Sequence, residues 1–248
     1  MPSKPQEDEA KRHSDNGILY VVATPIGNLK DITLRAIEVL KHVDAIASED
    51  TRHTAVLLKA YDIPTRMVSY HEHNERERTA QLVEQLLAGK SIALVSDAGT
   101  PLISDPGFRL VREAAAHRIP IVSVPGACAA IAALSASGFP TDAFVFLGFP
   151  PKKNRERFLF LSSLASEEKT LVFYESPKRI ERLLQEMIPV FGNRSAALCR
   201  ELTKIHEEII RGSISELLES IRERCLLKGE LVLLVAGHSA ESDPPRRT

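Results

Sequence analysis

The 248 residues carry 32 Lys and Arg against 33 Asp and Glu, a formal net charge of −1 at pH 7, with 44% hydrophobic and 26% charged residues. That balance is ordinary for a globular chain of one large or two small domains, and it lacks the basic excess usual in proteins that live on nucleic acid. No apolar run approaches the ~18 residues that a bilayer span needs, and Cys128, Cys199 and Cys225 show no CxxC spacing, which argues against a disulfide framework or a structural zinc and fits a reducing cytoplasm.

Residues 1–16 are polar and charged without an apolar core, so they are expected to form a disordered leader rather than a secretory signal. Ile18–Ala23 predicts the first strand, which runs into Thr24-Pro25-Ile26-Gly27-Asn28 and then a helix with Ile32, Ala36, Ile37 and Leu40 on its apolar face. Next come a short strand at Ala45–Ala47, a helix at Thr54–Lys59, a strand at Met67–Ser69 and a helix at Glu75–Leu87, with Gly89 where a helix-terminating glycine belongs. Ile92–Val95 is a β-branched and aliphatic run that stops abruptly in a long loop ending at Gly107, before a helix over Phe108–Arg118. Ile121–Val124 is the fifth strand; Pro125-Gly126-Ala127-Cys128 leads from it to a small-residue helix, Ala129–Ser137. Strand–helix alternation of this kind predicts right-handed crossovers and a five-stranded parallel sheet covered on both faces, an α/β domain over 17–138.

A second α/β domain is expected over 139–237. Its strands are predicted at Phe144–Phe149, Thr170–Tyr174, Ala196–Arg200, Glu207–Arg211 and Glu230–Ala236, and its helices at Asn154–Leu164, Pro177–Pro189 and Ser213–Arg224. The step from Arg200 to Glu207 is too short for a crossover, so that pair reads as antiparallel and the sheet as mixed. Residues 238–248 are expected to be a disordered tail. The whole is an α/β protein of two lobes with a cleft between them.

The loop Asp97-Ala-Gly-Thr-Pro-Leu-Ile-Ser-Asp-Pro-Gly107 is the most informative stretch. It is longer than an ordinary βα connection, and it spends that length on stiff or small residues that hold a shape and let backbone approach a ligand. The loops that begin at Thr24 and Pro125 are of the same kind, and the three converge only if their strands are parallel and close. GxGxxG, GxxxxGK[ST], HExxH and GxSxG are all missing from the sequence, which removes dinucleotide-fingerprint, P-loop, zincin and serine-hydrolase readings. His71-Glu72-His73 has nothing nearby to complete a ligand set, so a surface loop is expected and no metal. Lys152, Lys153, Arg155 and Arg157 form a basic cluster that reads either as a phosphate-contact patch or as a solvated helix face, as do Lys178, Arg179 and Arg182.

Taken together, Ala-Thr-Pro-Ile-Gly-Asn (23–28), Ser-Glu-Asp-Thr-Arg (48–52), the 97–107 block, Val-Pro-Gly (124–126), Phe-Tyr-Glu-Ser-Pro-Lys-Arg (173–179) and Arg-Glu-Leu-Thr-Lys (200–204) resemble the ribosomal RNA small subunit methyltransferase I family of the tetrapyrrole methylase superfamily. The resemblance covers about Leu19 to Gly237. It implies an S-adenosylmethionine-dependent enzyme that methylates the ribose 2′-oxygen of a cytidine in 16S rRNA of the small ribosomal subunit, with the methyl donor bound in the cleft between two α/β domains, acting as a homodimer; the residue patterns above add the expectation of no membrane association and no metal. Carried over residue by residue, it implies a donor site made by Pro25, Asp97, Ala98, Gly99, Thr100, Ile103, Ser104, Cys128, Ala129 and Leu147. The sequence departs from the family at Ala127, where proline is common, and it stops at Thr248 where members typically continue beyond the last strand.

A ribose hydroxyl is a weak acid and a weak nucleophile, so a base or a cation beside it should help the transfer. Lys204 with Glu201 is the first expectation, since an amine and a carboxylate three residues apart in a tight turn can reach one point; the plain alternative is a structural ion pair closing that turn. Glu49 and Asp50 come next, and Arg52 is a further cation in the same segment, expected at phosphate or at the reacting oxygen. A tetrapyrrole methyltransferase and a donor-binding RNA-associated module without activity are the competing functions. The 97–107 and 200–204 blocks favour the RNA enzyme over the first, and the charged residues of the expected site favour it over the second.

Overall fold

A computed structural model describes residues 17–224 and 228–238; the expected leader, Cys225 and residues 239–248 of the expected tail lie outside the described residues. The chain divides into two compact units, one ending at Ala127 and one beginning at Cys128.

In the first unit the elements alternate as expected: β1 (Leu19–Val22), α1 (Leu34–His42), β2 (Ala45–Ser48), α2 (Thr51–Ala60), β3 (Met67–Ser69), α3 (Glu75–Leu87), β4 (Ile92–Val95), α4 (Phe108–Ala116) and β5 (Ile121–Val124). The five strands lie in the order β3-β2-β4-β1-β5 and all pair in parallel. Side chains alternate across the sheet with the two-residue period of a strand. Leu19, Ala47, Ile92 and Leu94 pack with Leu82 and Leu86 of α3 and Leu110 and Ala114 of α4. Val22, Ile46, Ala93 and Val95 pack on the other face with Ala36 and Leu40 of α1 and Leu58 of α2. The chain therefore leaves β1 toward one face and its neighbour β4 toward the other. Loops that diverge in this way open a crevice at the carboxyl ends of the two strands, the usual ligand position in an open α/β sheet.

The second unit holds α5 (Ala129–Ser137), β6 (Phe144–Gly148), α6 (Asn154–Ser162), β7 (Thr170–Glu175), α7 (Ile180–Phe191), β8 (Ser195–Arg200), β9 (Glu208–Ser213), α8 (Ile214–Arg222) and β10 (Leu231–Val235). Its sheet runs β6-β7-β10-β8-β9 and is mixed: β6 and β7 are parallel, and β10 pairs antiparallel with both β7 and β8. The short β8–β9 turn makes those strands antiparallel, as the sequence predicts.

The unit boundary and several element ends differ from expectation, α2 for one beginning at Thr51 rather than Thr54. The units divide at Ala127/Cys128 rather than at 138/139, because α5 packs on β7, β8 and β10. Arg211 ties the end of that helix down, donating to the carbonyls of Ala136 and Ser137. The helix expected over Pro177–Pro189 instead begins at Ile180, after a turn in which Arg179 and Ile180 donate to the Ser176 carbonyl, and continues past Pro189 to Phe191. Pro189 removes only its own N–H bond there, and the buried Met187 and Phe191 hold the last turn in place.

Candidate active site

The three loops singled out in the sequence follow the adjacent strands β4, β1 and β5, and they are bonded to one another. Thr24 and Gly99 form an isolated antiparallel bridge, Thr24 N to Gly99 O at 2.8 Å and Gly99 N to Thr24 O at 3.1 Å. Thr24 Oγ1 also donates to Ser96 O at 3.2 Å, and Thr100 Oγ1 donates to Ala127 O at 3.2 Å. Gly99 has φ +81°, and a Cβ there would lie 3.3 Å from Ile26 Cγ2 and 3.6 Å from Ala127 O. A side chain would be strained and would fill the space between the three loops.

Within the 97–107 loop, Leu102 and Ser104 also have positive φ, 73° and 67°. Non-glycine residues rarely adopt this region, and such strain persists where surrounding structure over-determines it, commonly at ligand clamps. Of the expected donor residues in this unit, Pro25 and Gly99 are buried, Asp97, Ala98 and Thr100 are half-buried, and Ile103 and Ser104 are exposed.

Carboxylates gather at the ends of β2 and β4. The backbone N–H of Asp50 donates to Asp97 Oδ1 at 2.9 Å, joining the two loops. Burial, reinforced by the Glu49 and Asp97 charges, pushes the Asp105 carboxyl up to about 6. Glu49 is likewise raised, by burial first and then by Asp97. Among the described residues none of Glu49, Asp97 and Asp105 belongs to an ion pair. His71, at the end of β3, is close enough for its charge to act on Glu49, and its Nδ1 is buried without a hydrogen-bond partner. This is a partly desolvated place whose three carboxylates outnumber the one imidazole beside them, chemistry that suits a cationic ligand. Asp105 and His71 stand outside the expected site list. Asp105 was visible only as one more stiff-loop residue, and no sequence signal marked His71 as part of it.

Asp50 and Arg52 are used differently. Asp50 caps α2 and binds the Arg52 guanidinium at 2.7 Å, which holds its carboxyl well below the usual range. The Arg52 side chain is 90% exposed.

In the second unit, Cys128 and Ala129 are half-buried at the start of α5, where Ala130 N donates to the Tyr174 hydroxyl at 3.1 Å. Phe146 and Phe149 meet the Tyr174 ring edge-on, with centroids 5.0 and 5.6 Å away. Leu147 occupies a β-bulge, since Phe146 pairs with Val172 and Gly148 with Phe173. Bulges re-aim side chains and are common beside active sites; this one turns Leu147 against the unit's core.

Lys204 and Glu201 meet as the turn spacing suggests, Nζ to Oε1 at 2.9 Å, and the sequence reading missed a third member: Glu230, just before β10, binds Lys204 Nζ at 2.9 Å. The two carboxylates outweigh burial and raise the Lys204 pKa, so the residue is a fixed cation rather than a base. Glu201 at φ 50° and Thr203 at φ 68° are both left-handed, so the turn is strained as well as braced.

The basic cluster needs correcting. Arg157 is buried, not a surface cation: its guanidinium binds Glu186 at 2.6 and 2.8 Å, the Pro151 and Lys152 carbonyls, and Asn154 Oδ1. Lys153 pairs with Glu156, Arg182 with Glu186, and Arg179 with the buried Glu175 at 2.6 Å. Lys152, Lys153 and Arg155 remain exposed. No group of three or more His, Cys, Asp or Glu side chains that could hold a metal occurs among the described residues, and none of their helices is long and apolar enough to cross a membrane.

The family model for Tetrapyrrole (Corrin/Porphyrin) Methylases matches residues 18–218. The chain is 48% identical over 234 residues to the ribosomal RNA small subunit methyltransferase I of Halalkalibacterium halodurans, covering 94% of this chain and 81% of that protein. It is equally 48% identical, over 239 residues, to the protein of the same name from Escherichia coli O157:H7, covering 94% and 84%. Among solved structures it is similar in fold to uroporphyrin-III C-methyltransferase from Thermus thermophilus in complex with S-adenosyl homocysteine, at a TM-score of 0.61 and 19% identity, covering 88% of this chain and 97% of that one.

Proposed function

From a chain that belongs to the ribosomal RNA small subunit methyltransferase I family, within the tetrapyrrole methylases, we propose that it moves the methyl group of S-adenosylmethionine to the ribose 2′-oxygen of a cytidine in 16S rRNA, as a homodimer. The observation that carries the reading is the cradle at Gly99, where three bonded loops meet at a residue with no side chain of its own and only Ile26 Cγ2 and the Ala127 carbonyl close by, beside carboxylates that belong to no ion pair among the described residues. When bound, S-adenosylmethionine supplies a methyl carbon activated by a sulfonium and departs as a neutral thioether.

Asp97, Ala98, Gly99 and Thr100 present backbone to the donor, with Pro25 beneath, and Ile103 and Ser104 bound the exposed side. The resemblance adds Cys128, Ala129 and Leu147 to this set. Asp97 and Asp105 balance the donor's positive charge. Glu49, raised by burial, accepts a proton nearer neutral pH than an ordinary carboxylate and is the stronger candidate to take it from the 2′-hydroxyl. Lys204, held charged by Glu201 and Glu230, stabilises an anion instead; Arg52, exposed beside Glu49, meets phosphate. Most of the rate then comes from holding the oxygen in line with the methyl carbon.

The test is transfer of a radiolabelled methyl group to small ribosomal subunits, to naked 16S rRNA and to a tetrapyrrole precursor, followed by nuclease digestion of the RNA. Label in 2′-O-methylcytidine supports the proposal. Label in the tetrapyrrole or in a base methyl group, or donor binding without transfer, overturns it.

A further inference from the structure

Phe108 is the first residue of α4, directly after the 97–107 loop, and 66% of its surface is exposed. Its placement is tightly determined. Gly107 sits at φ +135°, where a Cβ would lie 2.8 Å from Leu94 Cδ2, so the junction between loop and helix is packed closely against β4. Leu110 and Ala114, wholly buried against the sheet, fix the helix's rotation. Phe108 is thereby turned away from the core. One turn later, Arg112 lays its guanidinium over the Phe108 ring, 5.8 Å from the centroid. This ring is not spare core material, and its fixed position and cation backing need an account.

Resting on the RNA methyltransferase reading above, we infer that the Phe108 ring, backed by Arg112, is a stacking platform for an unpaired nucleobase of the RNA substrate. Sequence-tolerant recognition of single-stranded RNA uses such rings, with arginines beside them to meet the backbone. One side of the ring is held by a cation, leaving the other free to stack; Arg112 is 56% exposed and shares one guanidinium nitrogen with Glu113 at 3.1 Å, with further N–H donors left to meet a phosphate. The exposed positions that follow on α4 are Arg112, Ala115 and Ala116. A protein partner would want a contiguous apolar patch, and on this helix face the only large apolar group is one ring beside a guanidinium. The first turn of α4 also has no side-chain cap, leaving its N–H groups to favour an anion.

The sequence has no tryptophan, so Phe108→Trp places a single tryptophan, excited selectively over the tyrosines at about 295 nm, at the platform. Titration with a short oligocytidylate is expected to quench it saturably, while an abasic oligomer of the same length quenches little. Phe108→Ala should raise the KM for RNA by about 5- to 150-fold, the loss of one stacked base, with donor affinity and melting temperature unchanged; Phe108→Trp and Phe108→Tyr should retain the wild-type KM. Equal quenching by the abasic oligomer, an unchanged KM in Phe108→Ala, or a shift of that variant's oligomeric state on sedimentation would each overturn the platform. Wild-type transfer to RNA, measured alongside, shows separately whether the parent reading stands.

Discussion

Thr24 and Gly99 exchange both of their backbone hydrogen bonds, at 2.8 and 3.1 Å, across a gap of some 75 positions in the chain. The bridge turns two βα loops into one surface at the point where β1 and β4 send the chain to opposite faces of the sheet. Everything proposed for the donor depends on that surface keeping its backbone bare.

Gly99→Val is therefore expected to abolish S-adenosylmethionine binding, measured by calorimetry. At φ +81° the substitution also strains the backbone by about 1–3 kcal/mol, so the melting temperature should fall by several degrees while the circular dichroism stays native. Normal donor binding by the folded variant would remove Gly99 from the site.

The Asp105 carboxyl ionises near 6 in the folded chain against 3.8 for an ordinary aspartate. A raised native pKa means that the folded state holds its proton longer than the unfolded one. Stability from this group is thus fully present below about pH 4 and is lost as pH rises through about 6. Cationic donor affinity runs the other way, rising through the same interval as Asp105, beside Glu49 and Asp97, becomes charged. Asp105→Asn should flatten the donor Kd against pH between about 5 and 7; a profile identical to wild type would show that Asp105 does not face the donor.

Lys204→Met removes the cation that Glu201 and Glu230 surround. The maximal rate is expected to fall by roughly 10²–10⁴-fold with donor affinity unchanged, the loss typical of one group acting on the reacting atoms. A rate that holds while only the melting temperature drops would make the triad a brace for the β8–β9 turn. Glu49→Gln is the companion variant, expected to lower the rate more at pH 6 than at pH 8, where the hydroxyl ionises more readily without a base.

Arg157→Met should destabilise the second unit by about 3–5 kcal/mol in urea unfolding, because it leaves Glu186 short of its main partner and frees two carbonyls. It should leave the salt dependence of RNA binding alone. Neutralising Lys152, Lys153 and Arg155 is expected to do the reverse, flattening the salt slope with little effect on stability.

Much of this protein is legible in one dimension. The alternation of apolar runs with 3.6-residue periodicity predicts the first unit's strands and helices, because each element there buries a face against its sequence neighbours. The short step from Arg200 to Glu207 forces an antiparallel pair, and the stiff residues between Asp97 and Gly107 announce a shaped loop. These are local properties, set by backbone sterics and by the period at which side chains recur.

What the sequence left open depends on which distant residues meet. Nothing in Arg157 distinguishes it from Lys152 or Arg155 until α7 brings Glu186 beneath it. Nothing marks Glu230 as a partner of Lys204 until β10 lies beside β8, or assigns α5 to the second unit until it packs on β7, β8 and β10. Charge and burial are sums over neighbours in space, so the raised carboxyls of Glu49 and Asp105 exist only once the ends of β2 and β4 are side by side. Sequence determined the elements and the chemistry they carry; tertiary structure decided which charges are shared, which are buried and which remain free to act.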